Sequence, residues 1–252
     1  MLSKAKIKYI HSLELKKNRK SEHAFVAEGP KSVTDLKNSF ACKLLVATKE
    51  WLSRGISIQA KEVIEETEKE LTRASFLKHP QEVLAVFEQP NFDLDTTVLS
   101  HSLCLALDDI QDPGNLGTII RLADWFGIEN IFCSPDTVDA YNPKTVQATM
   151  GALARVKVYY CDLRQLISQA KNTPVYGTFL DGNNLYEQAL SANGLIIMGN
   201  EGNGISSDIE ALVNHKLLIP NYPKGTETSE SLNVAIATAV VCAEFRRRIA
   251  SK

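Results

Sequence analysis

The 252-residue sequence predicts an α/β fold with a parallel sheet, preceded by a smaller α/β unit, on three observations. Short apolar runs alternate with helical patterns along nearly the whole chain, the order that builds strand–helix–strand units. Two of those runs, LCLAL from Leu103 and LIIM from Leu195, are apolar at every position, as in strands buried on both faces of a parallel sheet. Glu88 to Ser100 is polar, interrupted by Pro90 and without periodicity, which reads as a linker between two units.

The first unit opens on a basic stretch. Lys4, Lys6, Lys8, Lys16, Lys17, Arg19 and Lys20 face one acid, Glu14, and Ile7, Ile10 and Leu13 fall at helical spacing. This is a short amphipathic helix running into a basic turn, and its charges suit either a solvated face or contacts to phosphate. A strand at Phe25 leads into Glu28-Gly29-Pro30, and the helix that follows has Val33 and Leu36 on one side. Lys43 to Ala47 reads as a strand, Ala60 to Leu77 as a charged helix, and Val83 to Phe87 as a strand. Nothing in this unit has the look of catalysis.

The second unit begins with the strand at Leu103 and the loop from Ile110 to Gly117. Ile119, Ile120, Ala123 and Phe126 line the buried side of the next helix, Gly127 stops it, and Arg121 lies off that stripe. A strand at Ile128–Cys133, a helix around Pro143–Leu153 and strands at Val156–Tyr160 and Val175–Leu180 continue the alternation. After Met198 the chain breaks at Gly199 into a loop with Gly202 and Gly204. Leu217 to Ile219 is a strand that stops at Pro220, and Ser231-Leu232-Asn233 opens a long apolar helix from Val234 to Phe245. Arg246, Arg247 and Arg248 fan around the end of that helix, which reads as a solvated terminus in preference to a binding site.

Composition narrows the classes. No run of 18 apolar residues occurs, and the N-terminus lacks the apolar core of a signal peptide. The five cysteines (42, 104, 133, 161 and 242) are scattered, odd in number and without a CxxC, so reduced thiols in the cytoplasm are expected, with neither disulfide nor metal. The net charge of −2 neither favours nor excludes nucleic acid, because the basic residues are clustered.

Gly199-x-x-Gly202-x-Gly204 is not the spacing of a dinucleotide fingerprint, and alone it is as readily a tight turn. What counts is recurrence. Three strand-to-loop junctions, 112–117, 199–204 and 219–233, each combine Gly or Pro with Asn, Ser or Glu. Bare backbone groups at strand ends are the makings of a small-molecule pocket at the sheet's carboxyl edge.

These junctions resemble three motifs of a known family. Asn115-x-Gly117-x-x-x-Arg121-x-Ala123-x-x-Phe126-Gly127, then Met198-Gly199-Asn200-Glu201-Gly202-x-Gly204, then Ile219-Pro220 with Ser231-Leu232-Asn233-Val234-Ala235 are similar to those of the SpoU (TrmH-like) RNA ribose 2′-O-methyltransferases of the SPOUT superfamily. Lys17-x-Arg19, Phe25 and Glu28-Gly29 resemble the small L30e-like RNA-binding domain that many members carry. The chain departs from the pattern in its longer stretch from Asn221 to Glu230, where Gly225 matches the usual glycine.

The resemblance implies an RNA-binding domain over 1–93, a linker over 94–102, and a methyltransferase domain over 103–252 whose parallel sheet is threaded into a deep trefoil knot. It implies S-adenosylmethionine as cofactor, held by Met198, Gly199, Asn200, Gly204, Ile219 and Leu232. Arg121, Asn115, Glu201, Ser231 and Asn233 are the implied catalytic set, and Lys17, Arg19 and Glu28 the implied RNA contacts. The expected substrate is a ribose 2′-hydroxyl of ribosomal RNA, and the expected assembly a homodimer without metal or membrane. Two alternatives stand: a tRNA methyltransferase, and a non-catalytic RNA-binding protein of ribosome assembly. A guanidinium, with a pKa above about 12, is a poor base but a good clamp for phosphate and a developing oxyanion. Glu201 is at this point either the base or an anchor for its loop.

Overall fold

The computed structural model describes residues 2–170, 172–223, 226 and 231–250. In chain order the elements are α1 (Lys4–Ser12), α2 (Lys16–Glu22), β1 (Ala24–Glu28), α3 (Pro30–Leu36), β2 (Cys42–Ala47), α4 (Lys49–Ser53), β3 (Ala60–Glu65), α5 (Glu68–Thr72) and β4 (Val83–Glu88). These are followed by β5 (Leu103–Leu107), α6 (Pro113–Trp125), β6 (Asn130–Cys133), α7 (Pro143–Thr149), β7 (Lys157–Tyr160), α8 (Leu163–Gln169), β8 (Val175–Asn184), β9 (Gly194–Met198), α9 (Ser207–Glu210), β10 (His215–Leu218) and α10 (Val234–Ala250). Contacts divide the chain into two units, Met1–Asn91 with Asp139–Arg155, and Phe92–Val138 with Val156–Lys252.

The front unit is a four-stranded sheet in the order β1-β4-β2-β3, antiparallel except for the β2–β3 pair. All five residues of β1 are buried, so both faces of that strand need cover. On one face Ala24 and Val26 pack with Ile10, Leu13, Leu44 and Leu84. On the other, Phe25 meets Phe40, Phe87 and Tyr141, with ring centroids 4.8 Å apart for the Phe25–Tyr141 pair. Tyr141 belongs to the distant stretch that joins this unit, and so does the partner of Arg19. The Arg19 side chain is buried, donating to Asp139 Oδ2 from Nε (2.8 Å) and Nη2 (2.6 Å), and from Nη1 to the carbonyls of Leu13 (2.8 Å) and Glu14 (2.6 Å).

Three expectations are corrected. The charged helix over Ala60–Leu77 is the strand β3 followed by the single turn α5. As an edge strand β3 buries only Ile64, so its Lys and Glu residues face water and the period-two signal is faint. Residues 94–102 are no free linker: Leu99 is fully buried in the core of the second unit, with Phe92 and Val98 packed against it. The linear division at 103 also fails for 139–155, because Phe25 and Arg19 draw those residues into the front unit.

The second unit is a six-stranded, all-parallel sheet in the order β10-β8-β9-β5-β6-β7. β5 and β9, the two continuous apolar runs, form its buried centre. From β5 the chain moves outward through β6 to β7, then returns to build the other half. The switch point therefore lies between β5 and β9, where a doubly wound sheet opens its ligand crevice. α8, which the sequence reading passes over, is capped by Asp162 accepting from the N–H groups of Arg164 and Gln165.

α10 packs against α6 and buries Val241, Cys242 and Phe245. The three arginines at its end are exposed or half-buried, and their guanidinium groups are also bound to protein. Arg246 donates to the carbonyls of Phe126 and Gly127, while Arg247 and Arg248 both donate to the buried Glu244. Those guanidinium hydrogen bonds hold the Glu244 carboxyl down to about 2, from a usual 4.5. A depressed folded-state value stabilises above the unfolded value and is lost as pH falls through the folded one. In acid unfolding, the wild type is therefore expected to lose stability between pH 4.5 and about 2 more steeply than Glu244→Gln; equal slopes for the two proteins would refute the pairing.

Candidate active site

The loops after β5 and β9 meet at the switch point and are tied by side chains. Asp109 has φ +60°, a left-handed conformation uncommon for a side-chain-bearing residue, and is pinned there from several directions. Its N–H donates to Ser134 Oγ (2.9 Å), and Asn200 Nδ2 donates to its carbonyl (2.7 Å) and to Oδ2 (3.3 Å). The Gln111 side chain donates to Oδ1 of the same residue. Beside it, the Thr137 hydroxyl accepts from Ile110 N–H and donates to the Leu107 carbonyl. Asp108, buried, accepts from Ser206 N–H at 2.8 Å. Sequence reading missed Asp108, Asp109, Ser134 and Thr137. The available signal was a pair of polar clusters, DD after β5 and SPDT after β6, at neighbouring strand ends.

The glycine loop closes on itself. Asn200 and Gly204 exchange both backbone hydrogen bonds (2.9 and 3.0 Å), with Gly204 at φ +71°. A Cβ on Gly199 would lie 2.2–2.5 Å from the backbone of Gly204 and Ile205, so only glycine fits there. Asn200 Oδ1 accepts from the N–H groups of Gly202 (2.9 Å) and Asn203 (3.0 Å). With its amide committed in this way, the Asn200 side chain shapes the loop. The Met198 side chain is buried and its carbonyl accepts from Asp108 N–H.

A directed chain of hydrogen bonds joins all three sequence motifs. Glu201 accepts from the N–H groups of Gln111 (3.3 Å) and Asp112 (3.4 Å) and from Asn115 Nδ2 (2.9 Å). A carboxylate can only accept, which fixes the Asn115 amide with its oxygen turned to Asn233. Asn233 Nδ2 donates to that oxygen at 3.0 Å, and Asn233 Oδ1 caps α10 by accepting from Ala235 (3.0 Å) and Ile236 (3.3 Å). Asp112 caps α6 by accepting from Asn115 N–H at 2.8 Å, with Pro113 in the first turn. Asn115, Glu201 and Asn233 are thus brought together as expected, by contacts 86 and 118 residues apart in sequence.

Three site residues keep their polar groups open. Arg121 is exposed on α6, Ser231 is exposed, and neither has a hydrogen-bond or ion-pair partner among the described residues. Leu232 leaves 48% of its surface exposed, and its backbone groups have no partner among the described residues. Ile219 is half-buried just past β10. Gly225 lies outside the described residues. The five cysteines are free thiols, and burial pushes Cys42 and Cys161 up to about 11 and Cys104 and Cys242 up to about 12, so none is poised as a nucleophile. Among the described residues no His/Cys/Asp/Glu group could hold a metal, and no helix is long and apolar enough to cross a membrane.

The expected RNA contacts fare unevenly. Lys17 is exposed on α2. Arg19 is 1% exposed and spends four N–H donors internally, so it is not available to a phosphate. Glu28 is buried and accepts from the Ser75 hydroxyl and from Phe76 N–H (2.8 Å); burial raises its carboxyl while those bonds pull it back. Both are structural, a correction that burial imposes.

Residues 102–243 match the family described as SpoU rRNA methylase, which is more than half of the chain. The chain belongs to the SpoU rRNA methylase family. Residues 4–85 match the MRM3-like substrate binding domain. Among relatives, the 23S rRNA (guanosine(2553)-2′-O)-methyltransferase RlmP of Bacillus subtilis is 31% identical, with 96% of each chain covered. A TrmH-family RNA methyltransferase structure from Porphyromonas gingivalis is 41% identical with a TM-score of 0.89, covering 98% of this chain and 99% of that one. An AdoMet-bound rRNA methyltransferase from Sinorhizobium meliloti is 28% identical with a TM-score of 0.84, covering 99% and 97%. As a SpoU methylase the protein is an enzyme that moves a methyl group from S-adenosylmethionine to a ribose 2′-hydroxyl of RNA. The residues at the switch point fit that cofactor. Leu232 offers apolar surface with open backbone donors and acceptors, and Gly199 keeps the strand end bare.

Proposed function

We propose that this SpoU methylase modifies 23S ribosomal RNA in the cytoplasm, with Arg121 as the residue that acts on the target hydroxyl. The observation that carries the assignment of Arg121 is its open guanidinium, on the helix whose first turn is locked to both other motifs. The front unit, matched to a substrate-binding domain and carrying exposed Lys17 and Lys20 on α2, supports ribosomal RNA over a smaller substrate.

When bound, S-adenosylmethionine supplies a sulfonium methyl, which is already electrophilic. What remains for the chain is to hold the ribose oxygen in line and to ease loss of its proton, and positioning of that kind contributes about 7–11 kcal/mol. Arg121 clamps an RNA phosphate and stabilises charge building on the 2′-oxygen. Leu232, Ile219 and Gly199 hold the adenosine part, and Ser231 donates a hydrogen bond at the mouth. Asn115 and Asn233 set the spacing between α6 and α10. Glu201 anchors this frame: with three N–H donors upon it, it holds the loop and is not the base. Glu201→Gln is therefore expected to lower Tm and weaken cofactor binding while leaving the pH profile of kcat unchanged. A kcat that falls by a factor of about 10²–10⁴ and loses its pH dependence would make Glu201 the base.

The reading extends to architecture. The C-terminal sheet is threaded as a deep trefoil knot, one of the rare exceptions to unknotted topology, and the front unit is L30e-like. Two copies associate through the C-terminal unit, where Ile236, 55% exposed on α10, provides apolar contact. The test of function is labelled S-adenosylmethionine with 23S rRNA that lacks the modification, followed by mapping of ribose methylation. Label in 23S ribose supports the reading; label confined to tRNA, or none, overturns it.

A further inference from the structure

Asp109, just past β5, holds a left-handed turn that disfavours a residue with a side chain, and its N–H, carbonyl and carboxylate are all engaged in keeping it. The N–H donates to Ser134, the carbonyl and one carboxylate oxygen accept from Asn200, and the other carboxylate oxygen accepts from Gln111. The consequence lies two residues on. Asn200 and Glu201 are consecutive in the β9 loop and grip the β5 loop with opposite polarity. Asn200 donates to residue 109, while Glu201 accepts from the N–H groups of Gln111 and Asp112. Only Ile110 separates the two grips, and its backbone is fixed as well, the N–H donating to Thr137 Oγ1 and the carbonyl accepting from Val138 N–H at 2.8 Å. A return of Asp109 from φ +60° to the usual value of about −60° would turn the chain beyond it by roughly 120° and carry both N–H groups off Glu201. Gly199 immediately precedes Asn200, so the same turn sets the peptide at the bare strand end.

We propose that Asp109 is a positioning residue for S-adenosylmethionine: its side chain latches the β5 loop to the β9 loop, so that the cofactor enters a cradle already in shape. This rests on the placement of the adenosine part against Gly199 given above. A loop ordered before binding does not have to be ordered by the ligand, and affinity gains accordingly. The latch acts on cofactor entry and not on methyl transfer, because in the saturated site the cofactor itself holds the two loops.

A series at one position tests this in the full-length protein. Asp109→Ala is expected to raise the Kd for S-adenosylmethionine by calorimetry about tenfold, the scale of losing one or two internal hydrogen bonds. The kcat at saturating cofactor and the KM for a 23S rRNA transcript stay near wild type. Asp109→Gly accepts the left-handed turn without strain but has no carboxylate, so its Kd should rise with that of alanine. Asp109→Asn tolerates the turn and keeps one acceptor, and should remain within about threefold of wild type. Ser134→Ala removes the acceptor of the Asp109 N–H without touching either loop, and is expected to raise Kd about threefold; it carries the test should Asp109→Ala fail to fold. Hydrogen exchange over residues 109–112 and 199–204 should quicken in free Asp109→Ala and return to the wild-type rate with saturating cofactor. A wild-type Kd for Asp109→Gly or for Ser134→Ala would overturn the latch. A lower Tm with unchanged Kd would make Asp109 structural, and a lower kcat at saturation would place it in the reaction itself; either result overturns the proposal. If the cofactor slows exchange over 199–204 in neither wild type nor variant, its placement against Gly199 fails and the latch falls with it.

Discussion

Asp139→Ala is expected to destabilise the front unit by about 3–5 kcal/mol. Arg19 and Asp139 keep only 2% and 12% of their side-chain surfaces exposed, so removing the carboxylate leaves a cation buried without a counter-charge. The two carbonyl bonds of Arg19 prevent it from simply swinging into water. Urea unfolding followed by Trp51 fluorescence, in a Trp125→Phe background, measures the change where it occurs, because Trp51 is buried in that unit. Asp139→Asn should recover little, since it restores an acceptor but not the charge. A fragment of residues 1–93 should fail to fold, because it lacks both Asp139 and the Tyr141 ring against Phe25. A cost below about 1 kcal/mol for Asp139→Ala would mean that Arg19 reaches solvent, and its role as an RNA contact would then reopen.

Arg121→Ala is expected to lower the rate of methyl transfer about 100- to 1,000-fold, the scale of losing one pre-set donor to a developing oxyanion. Stability and cofactor affinity should hardly move, because the side chain is exposed and bonded to nothing described; surface changes of that kind stay within about 0.5 kcal/mol. Single-turnover methylation of 23S rRNA, with Tm and calorimetry on the same preparations, separates the two effects. Arg121→Lys keeps the charge but loses the planar fork, and its rate should fall between alanine and wild type. Alanine within a few-fold of wild type would remove Arg121 from the reaction. A parallel drop in Tm would show it to be structural instead.

Much of the fold is legible in the chain itself. The two all-apolar runs are β5 and β9 at the centre of the parallel sheet, because a strand buried on both faces admits no polar position. The stripe Ile119, Ile120 and Ala123 marks the buried side of α6 and leaves Arg121 outside it. The edge strand β3 reads as a helix for the opposite reason: solvent on most of its surface lets charge occupy positions that a central strand would reserve for apolar side chains.

What the sequence determined alone is therefore the local part: which runs are strands, where the glycines permit a closed loop, and which residue types stand at the three strand ends. Residue types reveal nothing about partners far along the chain. The basic cluster Lys17-x-Arg19 could not by itself separate the exposed Lys17 from the buried Arg19, because the distinction lies in Asp139, 120 residues from Arg19. Nor could the sequence show that three N–H donors of another segment converge on Glu201, the contacts on which its proposed role as an anchor rests. Long-range pairing decides burial and hydrogen-bond satisfaction, and these in turn decide which polar groups remain free to meet a substrate.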